Sequence, residues 1–262
     1  MKDQVILEAS KGACRTLTLN RPESKNAFNF ELAAAIPKAL AKAARDRKLK
    51  VVVLRGAGEA FSAGGDIKLF QKNLKTSDQA FRKISAHLNQ AIRTIGAMPQ
   101  VVIAAVRGPA YAAGFGLAIS CDLTVASHLA RFSPSFVNIA LAPNAASTYF
   151  LPRILGPKRA LEAFLTGRVF PAPEALSLGI VNHAWPEESF EEELDNLIAD
   201  LCARPSLTLA RIKRVLRASL TNPFAKQLEL EKREIAASSL SEDFKEGVTA
   251  FVEKRRPAFR GR

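Results

Sequence analysis

The chain has 262 residues, 48% hydrophobic and 24% charged, with 38 Lys+Arg against 25 Asp+Glu for a formal charge of +13. So much apolar surface collapses into a core, which excludes a disordered chain and fits one large domain with or without an appendage. Prolines 134, 143 and 152 break the longest uncharged run (132–152), no signal peptide is visible, and three scattered cysteines make no disulfide or zinc framework, so a soluble cytoplasmic protein without a membrane association is expected.

Val5–Ala9 and Arg15–Leu19 read as paired strands joined by a Lys11-Gly12 turn. Phe30–Lys48 follows as an Ala-rich helix in which Pro37 predicts a kink or a delayed start. Val51–Arg55 is an apolar strand. Ser77–Ala97 carries a helical stripe of Phe81, Ile84, Leu88, Ile92 and Ile95. Val101–Val106 is a second apolar strand, broken by Gly108-Pro109, and Leu123–Ala126 is a third. Apolar strands separated by helices predict buried sheets in an α/β arrangement. Beyond Gly156 the strand signals fade, and Glu187–Ala203, Ser206–Leu220, Pro223–Ser239 and Ser241–Arg255 read as helices. The expected division is a core over 1–200 and a helical region over 201–262.

Charge is uneven along this order. Residues 201–262 hold 14 Lys/Arg against 7 Asp/Glu, whereas Asp78 and Asp122 are the only carboxylates between Ile67 and Leu161. Acid–base chemistry in the middle of the chain therefore has few candidates.

Two segments share one design, an apolar strand, a loop of tiny residues, then a helix. They are Val51–Arg55 with Phe61-Ser62-Ala63-Gly64-Gly65-Asp66, and Val101–Val106 with Gly108 through Gly116. Small residues admit close approach to the backbone, and side by side such loops can hold one oxygen between two N–H groups. The same loops also serve as ordinary turns. A dinucleotide fingerprint is not complete at either, and no phosphate-binding GxxxxGK[ST] segment exists.

Together with Leu19-Asn20-Arg21-Pro22, Asn26-Ala27, Ser120-Cys121-Asp122, Leu151-Pro152-Arg153, Leu165-Thr166-Gly167, Gly179-Ile180-Val181-Asn182 and Phe251–Pro257, these loops resemble the crotonase superfamily, the enoyl-CoA hydratase/isomerase family. The resemblance spans nearly the whole chain. It implies an α/β fold, a crotonase-like spiral of repeated ββα units with a helical C-terminal trimerisation region, assembled as a homotrimer or dimer of trimers. It also implies an acyl-CoA thioester ligand, coenzyme A entering as part of the substrate and no separate cofactor. By motif, the backbone N–H groups of Gly65 and Ala113 would form the oxyanion hole. Arg21, Lys25 and Ala63 would border the coenzyme A, with Lys254 reaching over from this or a neighbouring subunit.

The sequence departs from that family at its acids. The two glutamates of similar hydratases fall at Gly116 and Phe136, so hydration by that mechanism is excluded. In one isomerase group a single acid follows the proline of a Pro-Asp/Glu-small-small segment; the matching segment here is Pro143-Asn144-Ala145-Ala146, and an amide is no base. Asp66, beside the first oxyanion donor, is either a helix cap or a site residue. The reading is an isomerase-like enzyme that stabilises a thioester enolate, with a non-catalytic acyl-CoA-binding homologue as the rival. Six basic residues between Lys38 and Lys50 raise RNA binding as a third reading, for which a solvated basic face is the simpler account.

Overall fold

The computed structural model describes residues 4–72 and 74–262. In chain order the strands are β1 (Ile6–Lys11), β2 (Cys14–Leu19), β3 (Val51–Gly56), β4 (Val101–Val106), β5 (Pro109–Tyr111), β6 (Leu123–Ser127), β7 (Arg131–Ser133), β8 (Phe170–Pro171) and β9 (His183–Trp185). The helices are α1 (Phe30–Arg45), α2 (Ile67–Lys72), α3 (Ser77–Ala97), α4 (Ala113–Ile119), α5 (Ser147–Leu155), α6 (Pro157–Thr166), α7 (Ala172–Ser177), α8 (Phe190–Ala203), α9 (Ser206–Ser219), α10 (Phe224–Ser239) and α11 (Glu242–Val252).

A six-stranded sheet runs β1-β2-β3-β4-β6-β9, antiparallel only at β1–β2, and a three-stranded sheet runs β5-β7-β8. The chain enters the large sheet at β4 and β6, crosses to the small sheet at β5 and β7, and returns through helices. The result is the expected spiral of strand–strand–helix turns. Its first turn has only a single-residue rung in the small sheet, where Ser62 bridges Ala110.

Period-two alternation explains why β3 and β4 are apolar throughout. Val52, Leu54, Val102 and Ala104 face the main core with α1 and α3, while Val51, Val53, Val101 and Ile103 face a second core closed by Phe190 and Leu194 of α8. A strand buried on both faces shows no polar alternation to read.

Helix α1 neither starts late nor breaks at Pro37; Asn29 caps it, its side chain accepting from the Leu32 N–H at 2.8 Å, and Pro37 packs buried against the core. The three-residue strands β5 and β7 and the still shorter β8 lie below the length at which apolar periodicity is visible. Pro109 opens β5 rather than ending order there, because the first position of a strand tolerates the missing N–H. Of the basic residues between 38 and 50, Lys42 pairs with Glu8 at 2.9 Å and Lys50 donates to the Cys202 carbonyl at 2.8 Å. All three cysteines are free, and burial pushes the Cys14 thiol up to about 11, which keeps it protonated and inert at neutral pH. No helix among the described residues is long and apolar enough to cross a membrane.

The last residues are strapped to α11. Asp243 accepts from the N–H groups of Arg260 and Gly261, and Glu246 takes the Arg255 guanidinium on both oxygens and the Ala258 N–H at 2.7 Å. The Arg255 hydrogen bonds, with help from Ala258, hold the Glu246 carboxyl down at about 2. Because this lies below its unfolded value of about 4.3, the contribution to stability is complete above that pH and lost as pH falls toward 2. Limited proteolysis of the tail is expected to accelerate across that window. Glu246→Gln is expected to bring the acceleration to neutral pH; a tail equally protected in both proteins would contradict the strap.

Candidate active site

Two loops are held edge to edge by the first rung of the small sheet. The Ser62 N–H donates to the Pro109 carbonyl at 3.1 Å and the Tyr111 N–H donates to the Ser62 carbonyl at 2.9 Å. On its other side the first loop is tied to residue 28, the Phe28 N–H donating to Gly64 at 2.7 Å and the Asp66 N–H to Phe28 at 3.2 Å. These bonds use the groups flanking Gly65 and leave its own N–H without an acceptor among the described residues.

The second loop presents a matching donor. Ala112 stands at φ 46 and ψ −115, a backbone region that L residues rarely occupy and that costs of order 1–3 kcal/mol. This turn makes Ala113 the first residue of α4, where its N–H lies beyond the reach of intrahelical bonding. Ala113 N–H also has no acceptor among the described residues.

Glycine is required where the loops touch. A Cβ on Gly64, at φ +91, would lie 2.9 Å from the Tyr111 carbonyl oxygen and 3.4 Å from the Ala113 nitrogen; one on Gly114 would lie 2.6 Å from the Ser62 oxygen. Gly64→Ala is therefore expected to push the loops apart and cost about 10²-fold in any reaction that uses both donors, the scale of losing one oxyanion contact. Exchange of the C2 proton of an acyl-CoA into deuterated water reads it, and an unchanged rate would refute the paired-donor geometry.

Gly65 lines two neighbouring cavities. The inner one, about 260 Å³, also takes Ala112, Ala113 and Asn144, with walls from Phe28, Phe70, Phe81, Ile84 and Phe136. Phe70 of α2 and Phe81 of α3 stack at 4.0 Å between ring centroids. The outer cavity, about 570 Å³, is bordered by Arg21, Ala63, Asp66, Lys68 and Lys72 among others. Glu23 and Asp66 on its rim both lie within ion-pair distance of Arg21, whereas neither Lys68 nor Lys72 has an ion-pair partner among the described residues.

The candidate residues divide accordingly. Gly65, Ala113 and Asn144 come together at the inner cavity, and Arg21, Ala63 and Asp66 at the outer one. Asp66 has two structural partners, accepting from the Leu69 N–H at 3.2 Å as the cap of α2 and pairing with Arg21 at 3.0 Å. Lys25 contributes its backbone, its carbonyl receiving the Ala63 N–H at 2.9 Å, while its side chain is exposed and borders neither cavity. Lys254, just past α11, borders neither cavity within this chain. Tyr111 is likewise outside both, its role being the backbone contact to Ser62.

Sequence reasoning misses Lys68 and Lys72, although two lysines four apart on the helix after the glycine loop are a readable sign. It also misses Ser85, which lies one residue beyond Ile84 at the margin of the α3 stripe and accepts from Asn144 Nδ2 at 3.0 Å.

At Gly116 the structure adds a steric fact to the missing carboxylate. A Cβ there would lie 2.5 Å from the Ala145 carbonyl oxygen and 2.9 Å from the Ala145 Cβ. Ala145 and Ala146 both take left-handed backbone, at φ 52 and 55, which turns the 143–147 loop over that position. Phe136 is buried and supplies an apolar wall. Among the described residues, no titratable side chain lines the inner cavity.

A strand–strand–helix spiral with two cavities that meet at Gly65, and two N–H groups without acceptors among the described residues beside the inner one, defines the class. The family model described as Enoyl-CoA hydratase/isomerase matches residues 9–262, and the chain belongs to that family, within the crotonase superfamily. It is 32% identical to the 1,2-epoxyphenylacetyl-CoA isomerase of Escherichia coli (strain K12), each chain covered over 100%. It is 37% identical to a probable enoyl-CoA hydratase of Rhodobacter capsulatus, with 97% of each covered. The crystal structure of an enoyl-CoA hydratase from Polaromonas sp. JS666 superposes with a TM-score of 0.93 at 32% identity, covering 97% of this chain and 99% of that one.

Proposed function

We propose that the protein binds an acyl-CoA thioester and stabilises its enolate, with the thioester oxygen between the N–H groups of Gly65 and Ala113. One observation carries this reading: two backbone donors without acceptors among the described residues border one apolar cavity. Charge developing on an enolate oxygen is met there by fixed dipoles in a water-poor site. Lys68 and Lys72, which border the outer cavity without ion-pair partners among the described residues, suit the phosphates of coenzyme A. Exposed Phe224, Leu240 and Phe251 on the C-terminal helices support closure into a trimer or a dimer of trimers.

An isomerase-like reaction is favoured over hydration because position 116 is closed and position 136 is apolar. The absence of a titratable side chain from the described lining of the inner cavity favours a second reading, an acyl-CoA binder without turnover. Incubation with 3-enoyl-CoA and 2-enoyl-CoA separates them. Conversion of the 3-enoyl thioester without hydration of the 2-enoyl one supports the isomerase-like reading; tight binding with no turnover of either supports the binder; no binding refutes both.

A further inference from the structure

A second concentration of charge lies on α9. Arg211, Lys213, Arg214 and Arg217 border a cavity of about 730 Å³ between α9 and the end of α3, and no carboxylate is among the described residues that line it. This cavity shares no lining residue with the two that meet at Gly65. Arg211, Arg214 and Arg217 recur every third residue, and Lys213 lies one turn before Arg217, so all four fall on one side of the helix.

Their carboxylate partners lie outside the cavity lining. Asp122 pairs with Lys213 at 2.6 Å and with Arg217 at 2.9 Å. Glu234 of α10 pairs with Arg211 at 3.8 Å, with Arg214, and with Arg233 at 3.4 Å. Five cations therefore share two carboxylates. The C-terminal end of α3 adds about half a negative charge, which leaves roughly two and a half positive charges unmatched.

These cations are also held in place. Lys213 is buried and donates to the Gln100 carbonyl at 2.8 Å, Arg217 donates to the Ser120 carbonyl at 3.1 Å, and Arg211 donates to Ser238 Oγ at 3.2 Å. Side chains fixed in advance cost a ligand little ordering, and partly buried charges are screened by salt less than surface ones. Each guanidinium has five donors, more than these contacts engage.

We propose that the α3–α9 cavity binds a free small molecule carrying a diphosphate group, at a site separate from the thioester site. A diphosphate concentrates about three negative charges in a compact group, close to the charge left unmatched here. Its oxygens, on two tetrahedral centres, accept from several directions and suit donors that arrive from nearly two turns of α9, whereas the acceptors of a carboxylate lie in one plane. Met98, Leu207 and Ala210 add an apolar wall on which the rest of such a molecule can lie.

The test is calorimetric titration of pyrophosphate into the full chain at about 0.15 M salt, with citrate as a carboxylate of similar charge. A single pyrophosphate per chain is expected, bound at least about tenfold more tightly than citrate. Arg211→Gln combined with Arg214→Gln is expected to weaken pyrophosphate about tenfold or more. Ala210→Trp keeps every charge but fills the cavity, and the same loss is expected. Lys68→Gln combined with Lys72→Gln is expected to leave the affinity within about twofold, because those lysines border a different cavity. Pyrophosphate that does not bind the wild-type protein, or binds no more tightly than citrate, overturns the inference. Binding that survives the arginine pair, or survives Ala210→Trp in protein of unchanged circular dichroism, overturns the assignment to this cavity, as does binding lost with the lysine pair. The arginine pair decides alone if Ala210→Trp does not fold.

Discussion

Asn144→Asp is expected to raise conversion of 3-enoyl-CoA to 2-enoyl-CoA by about 10²–10⁴-fold, the range a positioned proton carrier contributes. Among its described residues the inner cavity has donors for a developing oxyanion and no group to move a proton. Asn144 borders the same cavity as both donors, and an aspartate there differs by one atom type and negligible volume. Its second oxygen would inherit the Ser85 contact now made by Nδ2 at 3.0 Å. Apolar walls from Phe70, Phe81 and Phe136, with no cation among the described residues lining the cavity, would raise the new carboxyl toward neutral pH, where a base and its conjugate acid are both populated. The rate should then rise with pH through that raised value. Unchanged isomerisation in a variant that still binds acyl-CoA would show that position 144 does not face the reacting carbons.

Gly116→Glu is expected to do the opposite of restoring a hydratase. The incoming Cβ meets the Ala145 carbonyl oxygen at 2.5 Å, and that oxygen belongs to backbone already held left-handed. Overpacking of this kind costs about 1–3 kcal/mol, and a buried carboxylate without a cation adds to it. We expect the strain and the burial together to remove about 3 kcal/mol or more of stability, read by chemical denaturation. We also expect no hydration of 2-enoyl-CoA, even when Phe136→Glu supplies the second acid. Hydration by the double variant would mean the 143–147 loop moves aside readily.

The spiral is legible in the sequence because its long elements carry unambiguous signals, the valine runs of β3 and β4 and the stripe of α3. The second sheet is not, since β5, β7 and β8 are too short for periodicity and are made by pairing across the sequence. The donors at Gly65 and Ala113 follow from glycine-bearing loops after apolar strands together with the family resemblance. Their freedom from internal acceptors depends on which neighbours the rung at Ser62 consumes, and on the strained turn at Ala112, neither of which has a local sequence mark. Ser85 is invisible for a related reason: a serine at the edge of an apolar stripe looks like surface until a loop about sixty residues away covers it. The acid-poor middle is read directly, and it carries the most weight, because absent carboxylates are as visible in sequence as in space.

A crystal structure with a non-reactive acyl-CoA thioester bound tests the central claim most directly. The thioester oxygen is expected about 2.7–3.1 Å from both the Gly65 and the Ala113 nitrogens, with the acyl chain in the cavity beside Asn144. A thioester oxygen that meets neither nitrogen, or an acyl chain lying outside that cavity, would contradict it.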